Sequence, residues 1–186
     1  MGEIHNTFGI NIIPENEKER LAALQRYENL DASAENTLNK IAGLTAKIFN
    51  MPIGLVAFAH ESEVVFKGNV GMEGVDSANR GVSLCALAVL NDEVTMFERP
   101  LEEPCLLANP LVVGDFGLRF YAGAPLHTPD GFNIGTVCVV DKKQRYLTEQ
   151  QKSILEDIAG ITMDFLELKA KIKKQENVPV SKSRKK

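Results

Sequence analysis

The chain has 186 residues, of which 44% are hydrophobic and 25% are charged, and its formal net charge is −4. This length accommodates one domain with extensions, and the composition is ordinary for a soluble globular protein. The sequence lacks the run of about 18 apolar residues that a membrane span requires, and it lacks the basic and apolar segments of a signal peptide. We therefore expect a cytoplasmic protein without a membrane partner.

Charged and sulfur-containing residues narrow the function classes further. Residues 176–186 are expected to form a disordered basic tail, and the rest of the chain is acidic, which disfavours nonspecific binding to nucleic acid. Cys85, Cys105 and Cys138 are odd in number and irregularly spaced, so they predict neither a disulfide framework nor a metal site. The histidines are isolated as well. These features indicate a reducing compartment and no bound metal.

The first quarter of the chain is predicted to be helical after a short arm. Residues 1–13 show no clear period and are expected to be loosely ordered. A helix is predicted to start at Pro14, because the first helical turn tolerates proline. A second helix, with Ser33 as its N-cap, is predicted to end near Phe49. The apolar stripes are Leu21, Leu24 and Tyr27 in the first helix, and Leu38, Ile41, Leu44, Thr45, Ile48 and Phe49 in the second.

Short strands and loops are predicted for the middle of the chain. Two apolar runs, Ile53–Ala59 and Val64–Phe66, indicate an antiparallel hairpin. Glycines punctuate residues 68–82, which favours a functional or mobile loop. Residues 83–90 are compatible with a short helix and 94–97 with a short strand. Prolines interrupt the chain after that strand, which predicts a loop.

The last part of the chain carries the clearest local signals. Two apolar runs within Arg119–Asp141 flank Thr128–Gly131, where a proline presets φ and a glycine supplies a positive φ, which predicts a β-hairpin. A helix is predicted from about Thr148 to Lys174, opened by a capping box with Gln151. Its apolar residues follow a heptad: Ile154, Ile158, Ile161, Phe165, Leu168 and Ile172.

This order of elements predicts an α+β domain over residues 14–175. Hairpins that are separated from terminal helices imply an antiparallel sheet with helices packed on one face, rather than a doubly wound parallel sheet.

The order and spacing of several sequence blocks resemble a GAF domain of the subtype common in bacterial signalling proteins. The blocks are Glu19–Leu21 with Leu24, Leu30–Asp31, Phe49–Val56, Phe66–Lys67, Arg80–Ala86, Ala108–Val112, Arg119–Leu126 and Gly135–Asp141. The resemblance covers about residues 17–170. It implies a GAF-like (profilin-like) central antiparallel sheet of about six strands, with helices on one face. On the other face it implies a ligand pocket, which the irregular middle region roofs.

One departure from this subtype concerns cofactors. The subtype often has His after Cys-Ala, whereas Leu87 follows Cys85 and Ala86 here. Bilin attachment in photoreceptor GAF domains usually involves a Cys-His pair, so no bilin is expected, and no cofactor is named beyond an unidentified small molecule. No Arg, Lys or His adjoins Cys85 in sequence to activate its thiol, which favours a buried structural cysteine.

Six residues are candidates to bind the small molecule: Phe66, Ser83, Cys85, Asn109, Arg119 and Tyr121. Asn109 precedes a proline, so its amide is available either to a ligand or to an Asx turn. Phe120 and Tyr121 must face opposite sides of their strand. Arg119 shares a face with Tyr121 and is available either to an anionic ligand or to Asp115. No phosphate-loop, nucleophile-elbow or metalloprotease motif is present, so no catalytic residue is named.

We interpret the sequence as a non-catalytic, small-molecule-sensing domain in signal transduction, either stand-alone or part of a longer signalling protein. It is expected to form a homodimer through its terminal helices and to have a signalling protein as a further partner. Two alternatives stay open. Free methionine-(R)-sulfoxide reductases are GAF enzymes with three cysteines, and a disulfide between Cys85 and Cys105 would favour that activity, although Cys138 lies within a strand. A purely structural dimerisation module would instead fill its pocket with its own side chains.

Overall fold

A six-stranded antiparallel sheet forms the centre of the computed structural model, which describes residues 5–176. The strands are β1 (Ile53–Ala59), β2 (Glu63–Val70), β3 (Ser77–Asn79), β4 (Thr95–Phe97), β5 (Phe120–His127) and β6 (Asn133–Asp141). Their order in the sheet is β3-β2-β1-β6-β5-β4. Both predicted hairpins are present, and β1 joins them by pairing with β6. The predicted α+β class and antiparallel sheet are confirmed.

Five α-helices and three short 3-10 turns complete the chain between residues 5 and 176. The helices are α1 (Glu17–Leu24), α2 (Ala32–Ile48), α3 (Cys85–Ala88), α4 (Pro110–Val113) and α5 (Glu149–Glu176), and the turns are Gln25–Tyr27, Pro100–Glu102 and Pro104–Leu106. The capping box of α5 is confirmed, since the Gln151 N–H donates to Thr148 Oγ1 and the Thr148 N–H donates to Gln151 Oε1. The predicted cap of α2 is wrong: Asp31 accepts from the Ala34 N–H at 2.7 Å, and Ser33 lies inside the helix.

Helices α1, α2 and α5 pack on one face of the sheet. Successive side chains of β5 point to opposite faces of the sheet. Phe120 and Ala122 lie in the core under these helices, whereas Tyr121 lies in the core on the opposite face. Two glycines let α2 approach the sheet closely. A Cβ atom at Gly54 or at Gly68 would lie 2.3 Å from a backbone carbonyl oxygen of α2.

The opposite face of the sheet is covered by α3, α4, the loops around them and the N-terminal arm. We call residues 72–118, apart from the edge strands β3 and β4, the roof. Residues 5–13, expected to be loosely ordered, instead pack against the roof. Phe8 and Ile12 are buried in the core between the sheet and the roof, and the Thr7 N–H donates to the Gly81 carbonyl. The edge strand β3 pairs with β2 in a region for which the sequence predicts a loop.

Apolar residues on α2 and α5 do not all face the core. The stripe of α5 that packs on the sheet is Leu155, Ala159, Thr162, Met163 and Leu166, which is not the predicted heptad. The heptad residues Ile161, Leu168 and Ile172 are exposed, as are Leu44 and Ile48 on the predicted apolar face of α2. None of the described helices is long and apolar enough to cross a bilayer. The predicted basic tail lies outside the described residues beyond Glu176.

Candidate functional site

A cavity of about 50 Å³ lies between the roof and the face of the sheet that the long helices leave free. Leu55, Tyr121 and Cys138 from the central strands line it from below, and roof residues such as Cys85 and Met72 line it from above. The lining is predominantly apolar. Its volume is enough for a few water-sized molecules, since about 10–15 Å³ of such space holds one water.

Tyr121 places a polar group in this otherwise apolar site. Its ring lies over Gly123, the next residue on the same face of β5, where a Cβ atom would come 2.3 Å from the Tyr121 hydroxyl oxygen. Gly123 pairs with Cys138 on β6, so the Tyr121 hydroxyl, which lies over Gly123, is directed towards Cys138. The hydroxyls of Tyr121 and Thr136 are both buried without a hydrogen-bond partner among the described residues.

Two buried thiols meet at the cavity. The Sγ atoms of Cys85, at the start of α3, and Cys138, in the middle of β6, are 3.8 Å apart. The hydrogen bond from Cys138 lowers the pKa of the Cys85 thiol to about 6 against the opposing effect of burial, and the hydroxyls of Thr136, Tyr121 and Ser83 act in the same direction. The same bond, together with burial, raises the pKa of Cys138 well above its usual range. Burial also raises the pKa of Tyr121.

Four of the six predicted site residues line the cavity: Phe66, Ser83, Cys85 and Tyr121. Asn109 is buried elsewhere in the roof, and all the polar atoms of its side chain are engaged. Its Nδ2 donates to the carbonyl of Val82 at 2.8 Å and to Thr7 Oγ1 at 3.1 Å, and its Oδ1 accepts from the Leu111 N–H at 2.9 Å. Asn109 thus caps α4 and ties the N-terminal arm to the roof, as an Asx-type residue does.

Arg119 also lies outside the cavity lining. Its guanidinium donates to the carbonyl oxygens of Val112 and Leu118, at 2.9 and 2.8 Å, and it holds the end of α4 against the start of β5. These two carbonyls, rather than the Asp115 carboxylate considered from the sequence, accept its hydrogen bonds among the described residues.

Among the residues that the sequence analysis missed, Cys138 lines the cavity and Thr136 is the hydroxyl residue that acts on Cys85. Cys138 was regarded as remote from the pocket because it lies within a strand. Period-2 alternation supplies the missing signal: Val137 and Val139 join the core under the helices, so Cys138 and Val140 must face the roof. Cys105, in contrast, is half-buried in the roof and does not line the cavity. Within residues 5–176, no three His, Cys, Asp or Glu side chains are grouped so as to hold a metal ion.

Comparison with known proteins fits this arrangement of sheet, helices and roof. The profile of the GAF domain matches residues 33–162. The chain belongs to the GAF domain family. This GAF domain is 32% identical, over 151 residues, to a cyclic di-GMP phosphodiesterase of Pseudomonas aeruginosa. The match covers 81% of this chain but 26% of the relative, so the chain spans about a quarter of that protein's length.

Solved structures confirm the GAF fold. The GAF domain from an Acinetobacter phosphoenolpyruvate-protein phosphotransferase superposes with a TM-score of 0.61 at 12% identity and covers 87% of this chain and 99% of that one. A type II free methionine-R-sulfoxide reductase from Thermoplasma acidophilum superposes with a TM-score of 0.60 at 16% identity, covering 73% of this chain and 94% of that one. At such identities the likeness concerns the fold alone.

Proposed function

We propose that this GAF domain is a non-catalytic sensor of a small molecule and acts in signal transduction through a dimer formed by its helices. The observation that carries the proposal is the cavity under the roof, with the unpartnered hydroxyl of Tyr121 at its wall. A buried polar group without a partner costs about 1–3 kcal/mol, and a ligand that accepts its hydrogen bond would remove this cost.

The size of the cavity bears on the mechanism. A volume of about 50 Å³ admits a molecule of a few atoms. A larger ligand requires the roof to open, and Met72 and Phe116 are half-buried lining residues that can move outward. Binding then favours the open roof by the difference in affinity for the two states.

The outward-facing apolar residues of α5 support the dimer. Ile161 and Leu168 are 65% and 58% exposed, respectively, and with Ile172 they are the heptad residues that the domain's own core leaves uncovered. Leu44 and Ile48 add exposed apolar surface on α2, which contacts α5. A heptad stripe is self-complementary, so a second copy of the chain is the partner that it fits. In this arrangement α5, which follows β6 directly, carries a change in the sheet to the partner.

The ligand is tested by native mass spectrometry of the purified chain and by methyl NMR under xenon pressure, with xenon as an apolar probe. We expect a bound mass that is lost on denaturation and, in protein from which this ligand has been removed, xenon shifts at Leu55, Met72 and Leu118. Both should disappear in Ala78→Leu, which fills the cavity, and persist in Ala108→Leu, which adds the same side chain at an exposed roof position. No bound mass and no xenon shifts in the wild type would instead favour the structural module with a filled pocket.

The dimer is tested by sedimentation of the intact chain. Ile161→Glu combined with Leu168→Glu is expected to convert a dimer to a monomer without loss of helical circular dichroism, because both side chains are exposed in the single domain. Ser153→Glu, an exposed position of α5 outside the heptad, serves as the matched control and should remain dimeric. A wild-type chain that sediments as a monomer at all concentrations would overturn the dimer.

A further inference from the structure

The sulfur pair at the cavity has no role in the function proposed above. Cys85 and Cys138 are 53 positions apart in the chain, yet their Sγ atoms are 3.8 Å apart and both side chains are buried. Closure to a disulfide brings two sulfurs to about 2.05 Å, so this pair needs an approach of less than 2 Å. Cys85 lies in the roof, which is built of short elements, whereas Cys138 lies on a central strand.

The surroundings of the pair differ from those of an inert core cysteine. Three hydroxyl side chains, those of Ser83, Tyr121 and Thr136, surround Cys85 and act to stabilise its thiolate. Thiolate, rather than thiol, is the sulfur species that reacts with oxidants, and stabilised thiolates react faster at neutral pH. The hydroxyl of Tyr121 makes no hydrogen bond to another described residue while the sulfurs are thiols, so it is placed to donate one to the Cys85 thiolate.

We propose that Cys85 and Cys138 form a redox-active thiol pair that reduces hydrogen peroxide or another small hydroperoxide and closes to an intramolecular disulfide. This reaction goes beyond the sensing function and does not depend on it, because it changes the chain's own sulfurs whether or not a ligand also binds. The cavity of about 50 Å³ beside the pair matches an oxidant of this size.

The chemistry balances with the peroxide as the only oxidant. The Cys85 thiolate attacks one peroxide oxygen, the O–O bond breaks, and the departing hydroxide takes up a proton to leave as water. Cys85 is then a sulfenic acid. The Cys138 sulfur attacks the Cys85 sulfur, the S–O bond breaks, and a second water leaves with the thiol proton. Two electrons pass from the two sulfurs to the peroxide, and an external thiol reductant restores the dithiol.

The principal experiment uses the full wild-type chain. The reduced protein is treated with one equivalent of hydrogen peroxide, quenched in acid and denaturant, alkylated with N-ethylmaleimide and mapped by peptide mass spectrometry. We expect a linked peptide joining Cys85 to Cys138, a mass loss of two hydrogens in the intact protein, and an alkylated Cys105. If Cys105 is oxidised while Cys85 and Cys138 are both alkylated, the proposal is wrong.

Variants assign the roles within the pair. Cys105→Ala, at the half-buried position away from the cavity, should form the disulfide at the wild-type rate. Cys138→Ala should stop at a sulfenic acid on Cys85, which dimedone traps, whereas Cys85→Ala should leave Cys138 unoxidised under the same conditions. If dimedone labels Cys138 in Cys85→Ala as fast as it labels Cys85 in Cys138→Ala, then Cys85 is not the sulfur that preferentially attacks the peroxide. The readout is the covalent state of the sulfurs. A negative result here therefore does not contradict the proposed ligand or the proposed dimer, and a negative result for either of those does not contradict the thiol pair.

Discussion

Glu17 and Arg80, which are 63 positions apart in the chain, form a buried ion pair that joins the start of α1 to the end of β3. Arg20 donates two further hydrogen bonds to the same carboxylate, at 2.8 and 2.9 Å. Arg80 also reaches the carbonyls of His60 and Ile12, at 3.0 and 3.2 Å. One carboxylate therefore compensates two buried guanidinium groups and connects the helical layer to the roof side.

We expect Glu17→Gln to be strongly destabilising. The substitution preserves shape but leaves Arg20 and Arg80 without an anion, and breaking a buried pair in this way costs about 3–5 kcal/mol. Urea unfolding followed by circular dichroism measures the loss. Glu19→Gln is the matched control, since Glu19 is exposed on the same helix and should change the free energy of unfolding by less than about 0.5 kcal/mol. Equal losses in the two variants would contradict the assigned role of Glu17.

The same carboxylate predicts a dependence of stability on pH. Burial alone would raise the pKa of Glu17, but the hydrogen bonds and charges of Arg20 and Arg80 outweigh it and hold the pKa below 4.5. A carboxyl whose pKa is lower in the folded state contributes stability above its unfolded pKa, and this contribution is lost as the pH falls through the folded pKa. The free energy of unfolding of the wild type should therefore decrease as the pH is lowered from about 4.5. The Glu17→Gln variant should lack the part of this decrease that comes from Glu17. Parallel pH profiles for the two proteins would contradict the prediction.

Local signals in the sequence were sufficient to predict the hairpin formed by β5 and β6 and the start of α5. The turn at Thr128–Gly131 and the capping box of Thr148 act over a few residues, so a single sequence contains all the information that they need. The alternation of Phe120 and Tyr121 was likewise predictable from strand geometry.

Pairings between distant segments were not accessible in the same way. The three residues of β3 become a strand only because β2 lies beside them, and they have no strand pattern of their own. The contact between Cys85 and Cys138 depends on where α3 settles over β6, which no local pattern specifies. Asn109 was ambiguous for the same reason, because its partners Thr7 and Val82 come from two other segments.

Close packing of α2 on the sheet makes Gly68 sensitive to any side chain. A Cβ atom there would lie 2.3 Å from the Leu38 carbonyl oxygen, which is helix backbone and cannot rotate away. We expect Gly68→Ala to lower the free energy of unfolding by about 1–3 kcal/mol, as overpacking does. Gly160→Ala is the control, since a Cβ at this α5 position meets nothing within 4 Å and should stabilise the helix by about 0.5–1 kcal/mol. Chemical denaturation of both variants measures whether the free energy of unfolding decreases in Gly68→Ala and increases in Gly160→Ala.

Asn109 separates a structural role from a binding role. Replacement by alanine removes the cap of α4 and the hydrogen bonds to Thr7 and Val82, which should cost about 1–2 kcal/mol of stability. Because Asn109 does not line the cavity, any bound mass seen by native mass spectrometry should be retained. Asn36→Ala, at an exposed position of α2, provides the control and should be close to neutral. A variant that is fully stable but loses the bound mass would return Asn109 to the ligand site.

Tyr121→Phe tests whether the hydroxyl at the cavity serves stability or ligand binding. The hydroxyl is buried without a partner among the described residues, so its removal should leave the free energy of unfolding unchanged or raise it by about 1 kcal/mol. Tyr27→Phe is the matched control: the Tyr27 hydroxyl donates to Glu167, and its loss should cost about 1–2 kcal/mol. Urea unfolding measures both. If Tyr121→Phe is the more destabilising of the two, the hydroxyl has a partner in the folded protein, such as a buried water, and is not held free for a ligand. If it is neutral and the bound mass is lost, the hydroxyl is retained for binding.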